Sequence, residues 1–395
     1  MKYRFLTKLI LSFCFSFVAI NAVAQQTIAD ITDLTAYNNA LKLYNTKAYA
    51  AAQKTFNKVS EDASIGSNLK ADASYYEAMC AIKLNQPDAD KKILAFVEEN
   101  PNSSKKNTAF FKIANYYFAN KRASYALKWF QKVNLEELSK ENKKELNFKM
   151  GYCFLVTNNL ALAKTRFLPL INDAKYGNDS RYYFGFISYK LEDYGVAEST
   201  LKEIADNESY RAEISYYLLD ISFKGGKFER CIDVGLKLYP TIDRKLKSDV
   251  SKIIGESYFN LKKYAEAIPY LNGYKGTKGK WNNTDFYQLG YAYYKQNDFE
   301  NAVNSFNKII DEKNTVSQNA YYHLGECYMN LEKKSAALNA FKSAAEMDFD
   351  KNIQQDAALN YAKLSYEEGR NFCSVRLVMK KEILFNQLQK FYRII

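Results

Sequence analysis

Three glycines spaced 35 residues apart, Gly255, Gly290 and Gly325, constrain this chain more than any other feature. Each follows an aliphatic residue (Ile254, Leu289, Leu324). A tyrosine stands three residues later (Tyr258, Tyr293, Tyr328), an alanine twelve later (Ala267, Ala302, Ala337), and Leu271, Phe306 or Phe341 sixteen later. Self-similarity at such a period marks a stack of supersecondary units, none of which can bury its apolar face alone. With these glycines set at position 8 of a unit, the pattern extends in both directions as a small residue at 8, a small residue at 20 and a large apolar one at 24. Gly185 leads to Ala197 and Leu201, Gly151 to Ala163 and Phe167, Ala114 to Ala126 and Phe130, and Ala40 to Ala52 and Phe56. Leu219 (with Cys231 and Gly235), Ala78 (with Asp90 and Leu94) and Ala362 (with Ser374 and Val378) are weaker starts. The anchors fall at 40, 78, 114, 151, 185, 219, 255, 290, 325 and 362.

Each unit reads as two helices. In the eighth, Phe286, Leu289, Gly290 and Tyr293 share one helical face; Gln296-Asn297-Asp298 breaks the run; Phe299, Ala302, Phe306 and Ile309 form a second face. Gly within a helix costs about 1 kcal/mol relative to Ala, so its recurrence at one register implies a close crossing of two helices. Pro269 is expected early in a second helix, where a missing N–H is cheap, and Pro169 late in one, where it ends or bends the helix.

This pattern resembles the tetratricopeptide repeat: a bulky residue, Leu-Gly, Tyr, then Ala-x3-Phe over about 34 residues. The likeness is close over 251–345, good over 110–204 and loose in the first, second, sixth and last units. The expected fold is therefore all-α, a right-handed superhelical solenoid of helix–turn–helix repeats. The expected layout is a signal peptide at 1–24, a repeat array at 25–369, and a divergent basic and apolar tail at 370–395, read as a truncated repeat, a packed terminus or a docking segment.

The N-terminus carries Lys2, Arg4 and Lys8, an apolar run from Leu9 to Ile20, and Ala22-Val23-Ala24 before Gln25. These are the basic, apolar and small-residue regions of a signal peptide cleaved between Ala24 and Gln25; the apolar run is short for a stable membrane span. Cleavage takes the formal charge from +12 to +9. It leaves Cys80, Cys153, Cys231, Cys327 and Cys373. Cys80, Cys153 and Cys327 share one register position in units that are not neighbours, too far apart for a disulfide, which needs Cα atoms within roughly 7 Å. An export signal without an anchor, in a chain rich in Lys, Asn, Tyr and Phe, leads us to expect a Bacteroidota-like protein that is periplasmic or associated with the outer membrane of a Gram-negative cell.

Catalytic chemistry is hard to build here. The chain has one histidine, His323, between Tyr322 and Leu324 in a first helix; a His-rich metal site is not available, and no Ser-His-Asp or Cys-His arrangement is expected. No CxxC, GxGxxG or GxSxG motif occurs. No enzyme activity, cofactor or metal is expected. The segment Asn272–Asn283, NGYKGTKGKWNN, is a basic, glycine-rich connector. It is not a phosphate-binding P-loop: its glycines are one residue too far apart, and Trp281 stands where Ser or Thr must ligate magnesium.

The resemblance implies that first helices line a concave face with positions 5, 9 and 12 pointing into it. Position 5 here is Tyr37, Tyr75, Phe111, Phe148, Tyr182, Tyr216, Tyr287 and Tyr322, with Lys252 and Leu359 as exceptions. The candidate partner-binding residues are Tyr182, Phe186, Tyr189, Tyr216, Phe223, Tyr287, Tyr291, Tyr294, Lys295 and Tyr322. Two readings of position 5 stay open: an aromatic ladder facing a ligand, or packing against the neighbouring repeat. The functional expectation is a scaffold that binds envelope proteins or peptides in extended form. The alternative is a peptidoglycan or polysaccharide binder. Nucleic acid is not expected as a partner.

Overall fold

The computed structural model describes residues 34–309 and 312–369. The signal segment, its Ala24–Gln25 junction, Cys14, Cys373 and the tail from 370 onward lie outside the described residues. Two compact units divide the chain, Met1–Glu192 and Asp193–Ile395. In the first, α1 (34–45), α2 (Tyr49–Glu61), α3 (Ser67–Lys83), α4 (Ala89–Glu99), α5 (Lys106–Ala119), α6 (Ala123–Phe130), α7 (Lys140–Val156), α8 (Leu160–Phe167) and α9 (Gly177–Lys190) follow one another. The second holds α10 (Tyr194–Lys202), α11 (Arg211–Lys224), α12 (Phe228–Leu238), α13 (Arg244–Asn260), α14 (Tyr264–Gly273), α15 (Asn283–Lys295), α16 (Phe299–Phe306), α17 (Thr315–Asn330), α18 (Lys334–Glu346) and α19 (Lys351–Glu367). Within each unit successive helices pack, and each first helix also touches the next first helix, as in α3 with α5 and α13 with α15. No strand occurs among the described residues. The fold is an all-α array of helical hairpins.

The contact that closes each hairpin joins positions 8 and 24. A methyl group on Gly325 would lie 2.5 Å from the Phe341 ring. One on Gly290 would lie 2.8 Å from Phe306, one on Gly151 2.9 Å from Phe167, and one on Gly255 2.8 Å from the Leu271 backbone nitrogen. The space a Cβ would fill is already taken by the ring or the opposite backbone. Phe56, Phe130, Phe167, Phe306 and Leu201, all at position 24, are fully buried. Each such side chain contributes about 2–3 kcal/mol of burial.

The weak units have physical explanations. In the sixth, the sizes at positions 8 and 24 are exchanged: Leu219 is buried, and Gly235 makes the space, with Ile254 of the next first helix 2.7 Å from where its Cβ would stand. In the second, the expected Asp90 and Leu94 are not the core residues. Ala89, Ile93 and Phe96 are buried instead, so α4 sits one residue out of the expected register.

A second recurrent feature lies in the turn between paired helices. Position 15 has positive φ in every repeat: Lys47, Asn85, Lys121, Asn158, Glu192, Gly226, Lys262, Asn297, Glu332 and Gly369 range from 56° to 70°. The left-handed residue ends the first helix and aims the chain into the second. Asn and Gly tolerate this geometry; Lys and Glu there pay roughly 1 kcal/mol.

In two units a polar side chain at position 1 ties the hairpin's return to its own start. Asn107 donates to the Asn134 carbonyl (2.8 Å) and accepts from its N–H (2.7 Å). Gln318, fully buried, donates to the Met347 carbonyl (2.9 Å) and accepts from the Asp350 N–H (2.7 Å). Pro169 lies in a 3-10 turn just after α8 ends, as expected. Pro269 does not: it stands inside α14, beyond the first turn, so its missing N–H removes a helical hydrogen bond. Cys80, Cys153, Cys231 and Cys327 are buried free thiols.

Two glycine substitutions separate close crossing from helix propensity. Gly325→Ala is expected to destabilise by about 1–3 kcal/mol, because the ring of Phe341 has nowhere to go. Gly195→Ala, on an open face of α10 with nothing within 4 Å of a Cβ, is expected to stabilise by about 0.5–1 kcal/mol. Urea midpoints of the two variants should move in opposite directions.

Candidate functional site

The aromatic stripe is present, and its rings are largely engaged. In the first unit, Tyr182 and Phe186 of α9 stack at 6.4 Å, and Lys190 Nζ lies 5.6 Å from the Phe186 ring and 5.5 Å from that of Tyr189. All three rings are half-buried. In the second unit, Tyr287 stacks on Tyr291 at 5.9 Å, and Tyr291 meets Tyr294 at 5.9 Å. His323 of α17 enters this group, 5.1 Å from both Tyr291 and Tyr294 and 6.1 Å from Tyr287. Its Nδ1 is 2.8 Å from Glu326 Oε2. Burial, with Glu326 close by, holds the Tyr287 and Tyr294 hydroxyls above the usual tyrosine range. Tyr322, edge-on to Phe341 at 5.9 Å, is pushed up to about 12 by burial and by the charges of Glu326 and Asp356. Lys295 alone among the candidates is exposed, its Nζ 5.0 Å from the Tyr291 ring. In this part of the array the stripe therefore joins one repeat to the next, the packing reading left open by the sequence.

An open cleft lies elsewhere in the second unit, with a volume of about 930 Å³. One wall is α11, through Tyr216, Asp220, Phe223 and Lys224 at positions 5, 9, 12 and 13. The second wall is α13, from Arg244 and Lys245 in its first turn to Lys252 and Glu256. The third is the connector, from Tyr274 to Lys278. Tyr216 and Phe223 thus come together in one site. Tyr182, Phe186 and Tyr189 of the first unit, and Tyr287, Tyr291, Tyr294, Lys295 and Tyr322 of the second, do not line it.

The connector is a built structure. Lys278 (φ 53°) and Gly279 (φ 79°) are both left-handed, and the Lys280 N–H donates to the Thr277 carbonyl at 3.1 Å. Positive φ at both central residues defines a type I′ turn. Gly276 has φ 81°, and a Cβ there would lie 2.3 Å from the Lys280 carbonyl carbon, so only glycine fits. Trp281 Nε1 donates to the Tyr274 carbonyl at 3.0 Å, and the two rings stack at 6.2 Å. The Lys275 N–H donates to Ser248 Oγ at 2.9 Å, which fastens the loop to α13.

Lys252, the exception in the position 5 stripe, pins this arrangement. Its Nζ lies 2.6 Å from Asp285 Oδ1, 3.8 Å from Glu256 Oε1 and 4.5 Å from the Tyr274 ring centroid. Asp285 also closes the capping box of α15, accepting from the Asn282 N–H at 2.9 Å. Burial works against the Lys252 ammonium, but the hydrogen bond to Asp285 and the charges of Glu256 and Asp285 outweigh it and raise its pKa. Burial pushes the Glu256 and Asp249 carboxyls up, opposed in both by Lys252. The sequence marked Lys252 and the connector as separate departures from the repeat; the fold makes them one feature.

Among the described residues no group of three or more His, Cys, Asp and Glu is placed to hold a metal ion. No helix among them is long and apolar enough to cross a membrane.

The geometry is an array of helical hairpins in which position 8 receives position 24, and comparison with known proteins finds the following likenesses. The family model described as "Anaphase-promoting complex, cyclosome, subunit 3" matches residues 277–344. The C-terminal part of a TPR repeat-containing protein from Cytophaga hutchinsonii is 19% identical, over 62% of this chain and 98% of that one, at a TM-score of 0.45. A tetratricopeptide repeat protein from Parabacteroides merdae is 14% identical, over 73% and 99%, at 0.37. The P58(IPK) TPR domain is 14% identical, over 86% and 100%, at 0.30. No curated protein matches the chain. The chain is similar to these repeat proteins, and its own fold is an all-α array of helical hairpins.

The raised Glu256 carboxyl sets a pH test. The folded state holds this proton more tightly than the unfolded chain, so its contribution makes stability fall as pH rises from the ordinary glutamate range through the folded pKa. Glu256→Gln is expected to melt at or above the wild-type temperature at neutral pH, with the difference shrinking toward about pH 4. Thermal melts of both proteins across that range check it; a variant difference that is constant with pH would refute it.

Proposed function

We propose that this chain is a non-catalytic protein–protein interaction scaffold, exported to the bacterial cell envelope, that holds an extended segment of a partner protein against its first helices. The observation that carries this reading is the cleft between α11, α13 and the 274–278 loop. Tyr216 and Phe223, both half-buried, supply apolar ring surface there, and Tyr216 adds a polar tip. Such residues dominate protein recognition because they offer large contact area with few torsions to freeze. The stripe at Tyr287, Tyr291 and Tyr294 supports the alternative of sugar stacking less well. Those rings already lie against one another and His323, whereas stacking on a sugar needs an open ring face. Export and a periplasmic or outer-membrane-associated location rest on the basic, apolar and Ala-x-Ala pattern of residues 1–24.

Selection from a random peptide library on the full chain tests the binding reading. Recovered peptides should bind the wild type and lose about tenfold or more in affinity to a Tyr216→Ala/Phe223→Ala variant that keeps its helical circular dichroism. Failure to recover any peptide sensitive to those residues counts against it, as would co-sedimentation with purified peptidoglycan that survives both substitutions. Mass spectrometry of the protein expressed in its host should find a mature N-terminus at Gln25.

A further inference from the structure

Charge is distributed unevenly in the cleft. Its deep carboxylates are mostly matched from within: Glu256 faces Lys252 at 3.8 Å, and Asp220 Oδ2 faces Lys224 at 3.7 Å. Asp249, with neither an ion pair nor a hydrogen bond, is the exception. The rim is different. Arg244 and Lys245 on the first turn of α13, and Lys275 and Lys278 on the loop, line the cleft, and none of these side chains makes an ion pair or hydrogen bond among the described residues. Two elements thus present four unmatched cations to one opening.

The placement of both pairs runs against local preference. Behind its Asp243 N-cap, which accepts from the Lys245 and Leu246 N–H groups, the first turn of α13 holds Arg244 and Lys245, although the helix dipole disfavours cations at an N-terminus. Lys278 occupies a left-handed position in a type I′ turn that Asn or Gly fills more cheaply. The loop presenting Lys275 and Lys278 is held by the Trp281–Tyr274 and Lys275–Ser248 hydrogen bonds. These cations are therefore set around the opening rather than spread over a flexible coil.

We infer that the cleft receives an extended protein segment in which acidic side chains flank an aromatic or aliphatic one. The acids meet Arg244 and Lys245 on one side and Lys275 and Lys278 on the other. The apolar side chain enters between Tyr216 and Phe223. Charge complementarity selects this occupant over others. A nucleic acid or anionic glycan carries charge at every step and would press some of it onto Asp220, Asp249 and Glu256. A peptide keeps its acids at the rim and sends a neutral group to the floor. The inference rests on the scaffold reading and specifies the chemistry of its partner.

The test is fluorescence anisotropy on the full chain with a labelled peptide carrying two Asp or Glu on each side of a Phe. Its Asn/Gln counterpart, its Lys counterpart, a single-stranded DNA oligomer and vesicles containing anionic phospholipid serve as comparisons. Expected results are tightest binding of the acidic peptide, weakening with added salt, a loss of about tenfold or more in Lys275→Glu/Lys278→Glu, and no change in Lys128→Glu, whose side chain is exposed on α6. Equal binding of the Asn/Gln peptide, an unaffected loop variant, or tighter binding of DNA or vesicles would overturn the inference. The peptide library separates this failure from that of the scaffold reading. Selected sequences dependent on Tyr216 and Phe223 but not enriched in Asp and Glu would sink the acidic segment and leave the scaffold standing; no selected sequence would sink both.

Discussion

The close crossing of paired helices at positions 8 and 24 underlies the rest of the structure. An aromatic ring or leucine from the second helix lies against a first helix that has no Cβ, or only a methyl group, to offer. The helix-propensity cost of each glycine, about 1 kcal/mol, is offset by burial of the side chain it admits. In the sixth repeat the glycine stands in the second helix instead: the space at Gly235 is taken by Ile254 of the next first helix, with Leu219 in ordinary contact.

The open cleft of the second unit lies where the repeat is broken. Units that obey the pattern use their inner aromatics to join neighbours, as Tyr287, Tyr291 and Tyr294 do around His323. The seventh departs twice. Position 5 is Lys252 instead of an aromatic residue, and a turn-bearing loop follows its second helix. The two departures answer each other. Lys252 bridges Glu256, Asp285 and the Tyr274 ring, which holds the loop upright and leaves a cleft beside α11. The buried ion pair adds little stability in net terms, since desolvation takes back much of its Coulombic gain; its effect is to fix where the loop stands.

Much of the fold was legible because repetition multiplies a weak local signal. Position 8, 20 and 24 residues were readable in the regular units, and the free cysteines followed from the register. Repetition also concealed things. Position 15 is left-handed in every repeat, yet only Asn85, Asn158, Asn297, Gly226 and Gly369 advertise it; Lys and Glu elsewhere are held there by the two helices they connect. The shift of α4 to Ala89, Ile93 and Phe96 was missed because anchors were carried forward by count. Pro269 was expected early in its helix, but it stands in the middle of α14.

By itself the sequence determined the architecture: paired helices of a fixed period, small against large at two positions, with one unit interrupted by a basic, glycine-rich connector. Those are local and periodic properties, readable from spacing alone. Which aromatics line an open cleft and which pack between repeats was decided only by the tertiary structure. Tyr216 and Tyr287 occupy the same register position, so the register gives both the same expectation. What separates them is the neighbour each one meets. His323 lies 6.1 Å from the ring of Tyr287, while Lys252 is drawn to Asp285 and Tyr274, and the side of α11 that bears Tyr216 is left lining the cleft.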